Sequence, residues 1–218
     1  MTINIEDLLN SILGSLDRIA YIKSEDIPNI DLYMDQVTTF MESRLRSSTR
    51  HPGTDKILTK TMINNYAKND LLPPPVRKKY SRDHLLLLIF IYYYKGILSI
   101  NDIQELLKPI TDRFFNTKEE FDLEAVYETV FGLEQEQTEA LKKDIIEKFH
   151  ISEETFKDAP KDSQDFLQIF SFICMLSFDV YVKKLLIEKI IDSLQEVKAK
   201  NHSAKEQKPK TPKKPEDK

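Results

Sequence analysis

The run Leu58-Thr59-Lys60-Thr61-Met62-Ile63-Asn64-Asn65-Tyr66-Ala67-Lys68 decides how the chain is read. Its apolar members Met62, Ile63 and Tyr66 are spaced to share one face of a helix. Thr61, Asn64, Asn65 and Lys68 share the opposite face, with Lys60 at its edge. Thr59 stands where a cap belongs, because its hydroxyl can accept from an N–H of the first turn. The spacing predicts a helix over Leu58 to Asn69. Pro73-Pro74-Pro75 then stops it, since proline lacks a donor and restricts the residue before it.

Moving outward, Ser81 is placed to cap a helix reaching about Lys95, with Asp83 and His84 in its first turn. Its run Leu85-Leu86-Leu87-Leu88-Ile89-Phe90-Ile91 is apolar nearly all round, so the helix belongs in a domain centre. Gly96 is the expected stop. Ser99 caps a short helix over Ile100 to Lys108, with Pro109 just beyond it. Upstream, Ile27-Pro28-Asn29-Ile30-Asp31 is a helix start signal, and the helix follows over Asp31 to Arg46. Ser47 to Asp55 reads as a loop. Downstream, Thr117 is the expected cap of a helix over Lys118 to Phe131. Another covers Gln135 to Phe149, and a long one covers Ser163 to Lys198. Beyond that, Lys, Pro, Glu and Gln dominate, a composition too polar to offset the entropy of ordering. The expected organisation is an N-terminal helical segment (1–26), a helix-turn-helix domain (27–110), a C-terminal helical region (111–198) and a disordered Lys/Pro tail (199–218).

Composition agrees with an all-α chain of 218 residues holding only four glycines, because glycine costs roughly 1 kcal/mol in a helix interior. The single cysteine, Cys174, excludes an internal disulfide and reads as a small buried hydrophobe. The four histidines lie far apart without metal-ligand spacing. The longest apolar stretch, Phe166 to Phe178, falls short of the roughly 20 residues a bilayer needs. No phosphate-cradling glycine loop or nucleophile motif is present. An enzyme, a cofactor and a membrane location are therefore not expected, and the reducing cytoplasm is.

Charge is segregated behind a net of −4. Lys56 to His84 carries seven basic and two acidic residues, a net of +5. Thr111 to Glu196 carries ten basic and twenty acidic residues, a net of −10. A basic island on an acidic body suits a nucleic-acid surface mounted on a second domain. Asparagine can pair bidentately with adenine, lysine reaches guanine or phosphate, and a threonine methyl can touch that of thymine. The helix face Thr59, Lys60, Thr61, Asn64, Asn65 and Lys68 is thus the candidate for reading bases. Arg77, Lys78, Lys79 and Arg82 are the candidates for phosphate contact.

These residues carry a resemblance. The order Ile63, Asn65-Tyr66, Leu71-Leu72-Pro73-Pro74, Tyr80-Ser81, the helix Leu85 to Lys95 and Ser99-Ile100-Asn101-Asp102-Ile103 resembles the MerR-type winged helix-turn-helix. Val76 to Lys79 leaves room for a basic turn rather than a two-armed wing. Ile27 to Gln36 and Leu58 to Lys79 are also similar to a bacterial family, domain of unknown function 1836. The resemblance implies a MerR-like helix-turn-helix domain followed by a C-terminal helical domain with one long helix. It implies a transcriptional regulator that binds double-stranded DNA as a homodimer through that helix. The acidic half is left to an effector or a protein partner. The alternative is a protein-interaction module that has kept the shape without specific DNA binding.

Overall fold

A computed structural model describes residues 5–16, 21–117 and 119–206, and the molecule is mainly α. The expected tail from 207 onward lies outside the described residues. In order, the elements are α1 (Ile5–Leu16), β1 (Leu32–Tyr33), α2 (Met34–Leu45), α3 (Lys60–Lys68) and β2 (Lys79–Tyr80). They continue with α4 (Arg82–Tyr94), α5 (Ile100–Phe114), α6 (Leu123–Phe131), α7 (Glu134–Glu153) and α8 (Lys161–Glu206). Short 3-10 turns occupy Ser24–Asp26 and Arg46–Ser48.

Helix α4 forms the axis of the larger core. Every residue from His84 to Ile91 is buried, as expected of a helix apolar on all sides. Around it pack Val37, Met41 and Leu45 of α2, Ile63 of α3, Ile103 and Leu107 of α5, and Leu123 and Tyr127 of α6. Because α6 joins this core, the unit continues past residue 110 to about Phe131. A second, smaller core gathers Ile145 and Phe149 of α7 with Phe172 of α8, and α1 covers it with Leu9, Leu13 and Leu16. The N-terminal helix thus belongs with the C-terminal ones.

Several boundaries move for long-range reasons. Helix α2 begins at Met34 instead of Asp31, because Leu32 and Tyr33 are drawn into antiparallel pairing with Tyr80 and Lys79. Gln36 then reaches back to accept the Tyr33 N–H at 2.8 Å. Gly96 does not supply a left-handed stop, as no glycine among the described residues has positive φ. Instead, the Ile97 and Leu98 N–H groups both donate to the Tyr94 carbonyl at 2.9 Å, and buried Leu98 draws the chain inward. Pro109 lies inside α5 rather than after it. Ile110 and Phe114 continue the apolar stripe onto the core, and Pro109 sits on the exposed face. Thr117 does not cap α6; Asp122 does, accepting from Ala125 N–H at 3.0 Å. Cys174 is exposed, not buried, because α8 turns that face away from its neighbours. Helix α8 also runs beyond Lys198 to Glu206, into the stretch assigned to a disordered tail. Among the described residues no helix is long and apolar enough to cross a membrane, and no cluster could hold a metal ion.

Candidate nucleic-acid interface

Helix α3 is fixed from both ends. Thr59 Oγ1 accepts from the Met62 N–H at 3.2 Å, as its capping role requires. At the other end the Leu71 and Leu72 N–H groups return to the Tyr66 carbonyl at 2.9 and 3.2 Å. Asp70 is left-handed there, with φ 54°, so the chain has turned before the proline run. Ile63 and Tyr66 are buried, and burial raises the Tyr66 phenol above its ordinary value. Thr61, Asn64, Asn65 and Lys68 are all exposed together on the outer face.

The basic turn is a hairpin after all, though a minimal one. Val76 and Lys79 exchange both backbone hydrogen bonds, at 3.1 and 2.9 Å. The two residues between them, Arg77 and Lys78, have φ of 51° and 64°. That is the backbone of a primed two-residue turn, which normally selects asparagine and glycine. Instead of a second long arm, Lys79 and Tyr80 pair sideways with Tyr33 and Leu32. Arg77 and Lys78 are left exposed at the tip. Lys79 is half-buried, its Nζ 5.3 Å from the centre of the Tyr33 ring.

A chain of contacts brings turn and helix together. Lys60, at the start of α3, pairs with Asp35 in the first turn of α2. Asp35 lies two residues from Tyr33, which pairs with Lys79. The exposed face of α3 and the basic tip therefore flank the N-terminal end of α2. Tyr33 and Gln36, at that same end of α2, are exposed. Neither was legible as a site residue, because a two-residue strand is too short to show alternation.

Arg82 is the correction within the predicted set. Its guanidinium Nη2 donates to the Ser24 carbonyl at 2.7 Å and to a Glu124 carboxylate oxygen at 2.5 Å. It ties the Ser24–Asp26 turn to α6, so it serves the fold and is not free for phosphate. The sequence placed it in a basic run, but only the tertiary structure brings Glu124 to it.

His84 holds the helix behind the turn. The Ser81 N–H donates to His84 Nδ1 at 3.0 Å, which requires a neutral ring with its proton on Nε2. Burial lowers the imidazole below its ordinary value, opposed in part by the Pro74 and Pro73 carbonyls and the nearby carboxylates of Asp83 and Asp31. Aromatic Tyr92, Tyr93 and Tyr94, tempting as base-stacking groups, are half-buried against the core, and the Tyr92 hydroxyl bonds Ser48 Oγ at 3.0 Å.

A family model described as domain of unknown function (DUF1836) matches residues 22–130, half of the chain. The matched stretch coincides with the larger core, from Ile22 through α6. No curated protein and no solved structure matches the chain.

Proposed function

We propose that this chain, a member of the DUF1836 family, binds double-stranded DNA as a dimeric, MerR-like transcriptional regulator. One observation carries the reading. A polar face on a short capped helix (Thr61, Asn64, Asn65, Lys68) stands beside an exposed two-residue basic tip (Arg77, Lys78). A recognition helix needs such a face to enter a major groove, and a neighbouring cationic turn is suited to the flanking phosphates. Asn64 and Asn65 are the candidates for adenine, Thr61 for a thymine methyl, and Lys68 for guanine or phosphate. Thr59 contributes as a cap. Lys60 contributes by opening its exposed pair with Asp35, since such pairs hold by at most about 1 kcal/mol.

The test is recovery of cross-linked DNA from the native cell, followed by gel shifts on the sites found. Asn64→Ala is expected to cost about 1–3 kcal/mol of discrimination at one base position. Lys78→Ala is expected to weaken all sequences alike. Weak, sequence-blind binding that moderate salt abolishes would refute specific regulation.

One observation favours the second reading, a protein-interaction module. The Lys60–Asp35 pair already occupies one cation of the face. Recovery of a stoichiometric protein partner after nuclease treatment, with no enriched DNA, would decide for it.

A further inference from the structure

The stretch from Ser47 to Ile57, between α2 and α3, is long for a helix-turn-helix, whose turn takes about three or four residues. Irregular chain of that length on a surface is ordinarily more mobile than the elements it joins. Here its backbone is held from several sides. The Arg46 guanidinium donates to the Pro52 carbonyl and, at 2.9 Å, to the Asp55 carbonyl. The Thr54 and Asp55 N–H groups both return to the His51 carbonyl, at 3.0 and 2.9 Å. The Asp55 carboxylate accepts the His51 N–H at 2.9 Å, so the loop's one acid is turned onto its own backbone. From α4 and just beyond its end, the Tyr92 hydroxyl meets Ser48 Oγ at 3.0 Å and Lys95 Nζ donates to the Ile57 carbonyl at 2.5 Å.

This frame presents two cations outward. Arg50 and Lys56 are exposed, and among the described residues neither has a carboxylate partner. The arginines just before them differ, since Arg44 pairs with Asp26 at 3.2 Å and Arg46 pairs with Glu42. The same division marks the chain after α3, where Arg82 is paired with Glu124 while Arg77 and Lys78 stand free among the described residues. Each side of α3 thus carries one pair of unneutralised charges on a fixed backbone.

The loop ends at the cap Thr59 of α3 and rests on the C-terminal end of α4 through Tyr92 and Lys95. The basic tip follows α3 and leads through Ser81 into the N-terminal end of α4. Helix α4 has 13 residues and is therefore about 20 Å long, so the two cation pairs lie toward opposite ends of that length. A major groove about 12 Å wide has the phosphates of one strand on one side and those of the other strand opposite. We propose that Arg50 and Lys56 bind phosphates of one DNA strand while Arg77 and Lys78 bind those of the other, holding α3 in the groove from both sides. The proposal rests on the DNA-binding reading above and adds to it a second flank, the pinned loop. Because the loop is already ordered, the contact costs little further conformational entropy.

The test uses the full chain on a duplex carrying a site recovered by cross-linking. The double variants Arg50→Gln with Lys56→Gln and Arg77→Gln with Lys78→Gln are compared with the native chain. Each is expected to reduce the log–log salt slope by about two, and the four changes together by about four. Arg50→Lys with Lys56→Arg keeps both charges and should keep the native slope. Phosphate ethylation interference then assigns the strands. The loop variant should lose interference on one strand beside the α3 contact, and the tip variant on the other. A native slope in the Arg50→Gln, Lys56→Gln protein overturns the proposal and leaves the DNA-binding reading standing. Interference lost on the same strand for both variants overturns the two-sided hold. A native chain that enriches no site overturns both the proposal and the reading beneath it.

Discussion

Arg77 and Lys78 occupy a backbone region that side chains with a Cβ enter at a cost of roughly 1–2 kcal/mol each. Asparagine and glycine would sit there without strain, so the two cations are kept against the local preference of the chain. The double change Arg77→Asn with Lys78→Gly is expected to raise the unfolding free energy by about 1–2 kcal/mol in a denaturant melt. The same protein should bind DNA more weakly, with a log–log salt slope smaller by about two. A slope left unchanged would remove the turn from the interface. His84 poses a second residue-scale question. Its folded value is lowered, chiefly by burial, so the unfolded chain takes up a proton more readily. Its stabilising contribution is whole above the ordinary histidine value of about 6.5 and is lost as the pH falls below it. His84→Gln keeps an acceptor for the Ser81 N–H and removes the titration. Melting temperature should fall for the native chain between pH 7.5 and 5.5 and stay flatter for His84→Gln. Parallel curves would show that other groups set the acid sensitivity.

Among the elements, what depended on neighbours in sequence was legible, and what depended on distant contacts was not. Thr59 and Ser99 lie at helix starts as read, with their hydroxyls accepting from N–H groups three residues on. Ser81 begins α4. The outer face of α3 followed from its period alone. The cap of α6 did not, since Asn116 is left-handed (φ 55°) and its N–H is held by Asp83 at 2.5 Å. That tether delays the helix to Asp122. Helix α5 outran its proline because its apolar stripe pays out on the far side, a tertiary gain that no local rule contains. The short pairing of β1 with β2 was equally hidden, and with it the geometry that brings the basic tip to α3. Arg82 was misplaced for the same reason, its partners Ser24 and Glu124 lying 58 and 42 residues away.

At the scale of the whole molecule, two cores divide the chain differently from its composition. The larger core runs from Ile22 to about Phe131 and, among the described residues, takes Ile191 alone from α8. A fragment of residues 21–131 should therefore fold cooperatively by circular dichroism and melt below the full chain. A fragment without a cooperative transition would show that α8 is integral to the domain. The acidic C-terminal half, by contrast, is built from α7, α8 and the far N-terminal α1. Until the larger core closes, α4 is the chain's most hazardous segment. From His84 to Tyr94 it holds no lysine, arginine, aspartate or glutamate, and its isoleucines and aromatic residues favour extended stacking when they are not helical. On a nascent chain this stretch leaves the ribosome before α5 and α6, two of the helices that cover it. Arg82 and Asp83 before it and Lys95 after it then act as gatekeepers against self-association. The charges at the ends of the most buried helix thus guard the chain's solubility during synthesis.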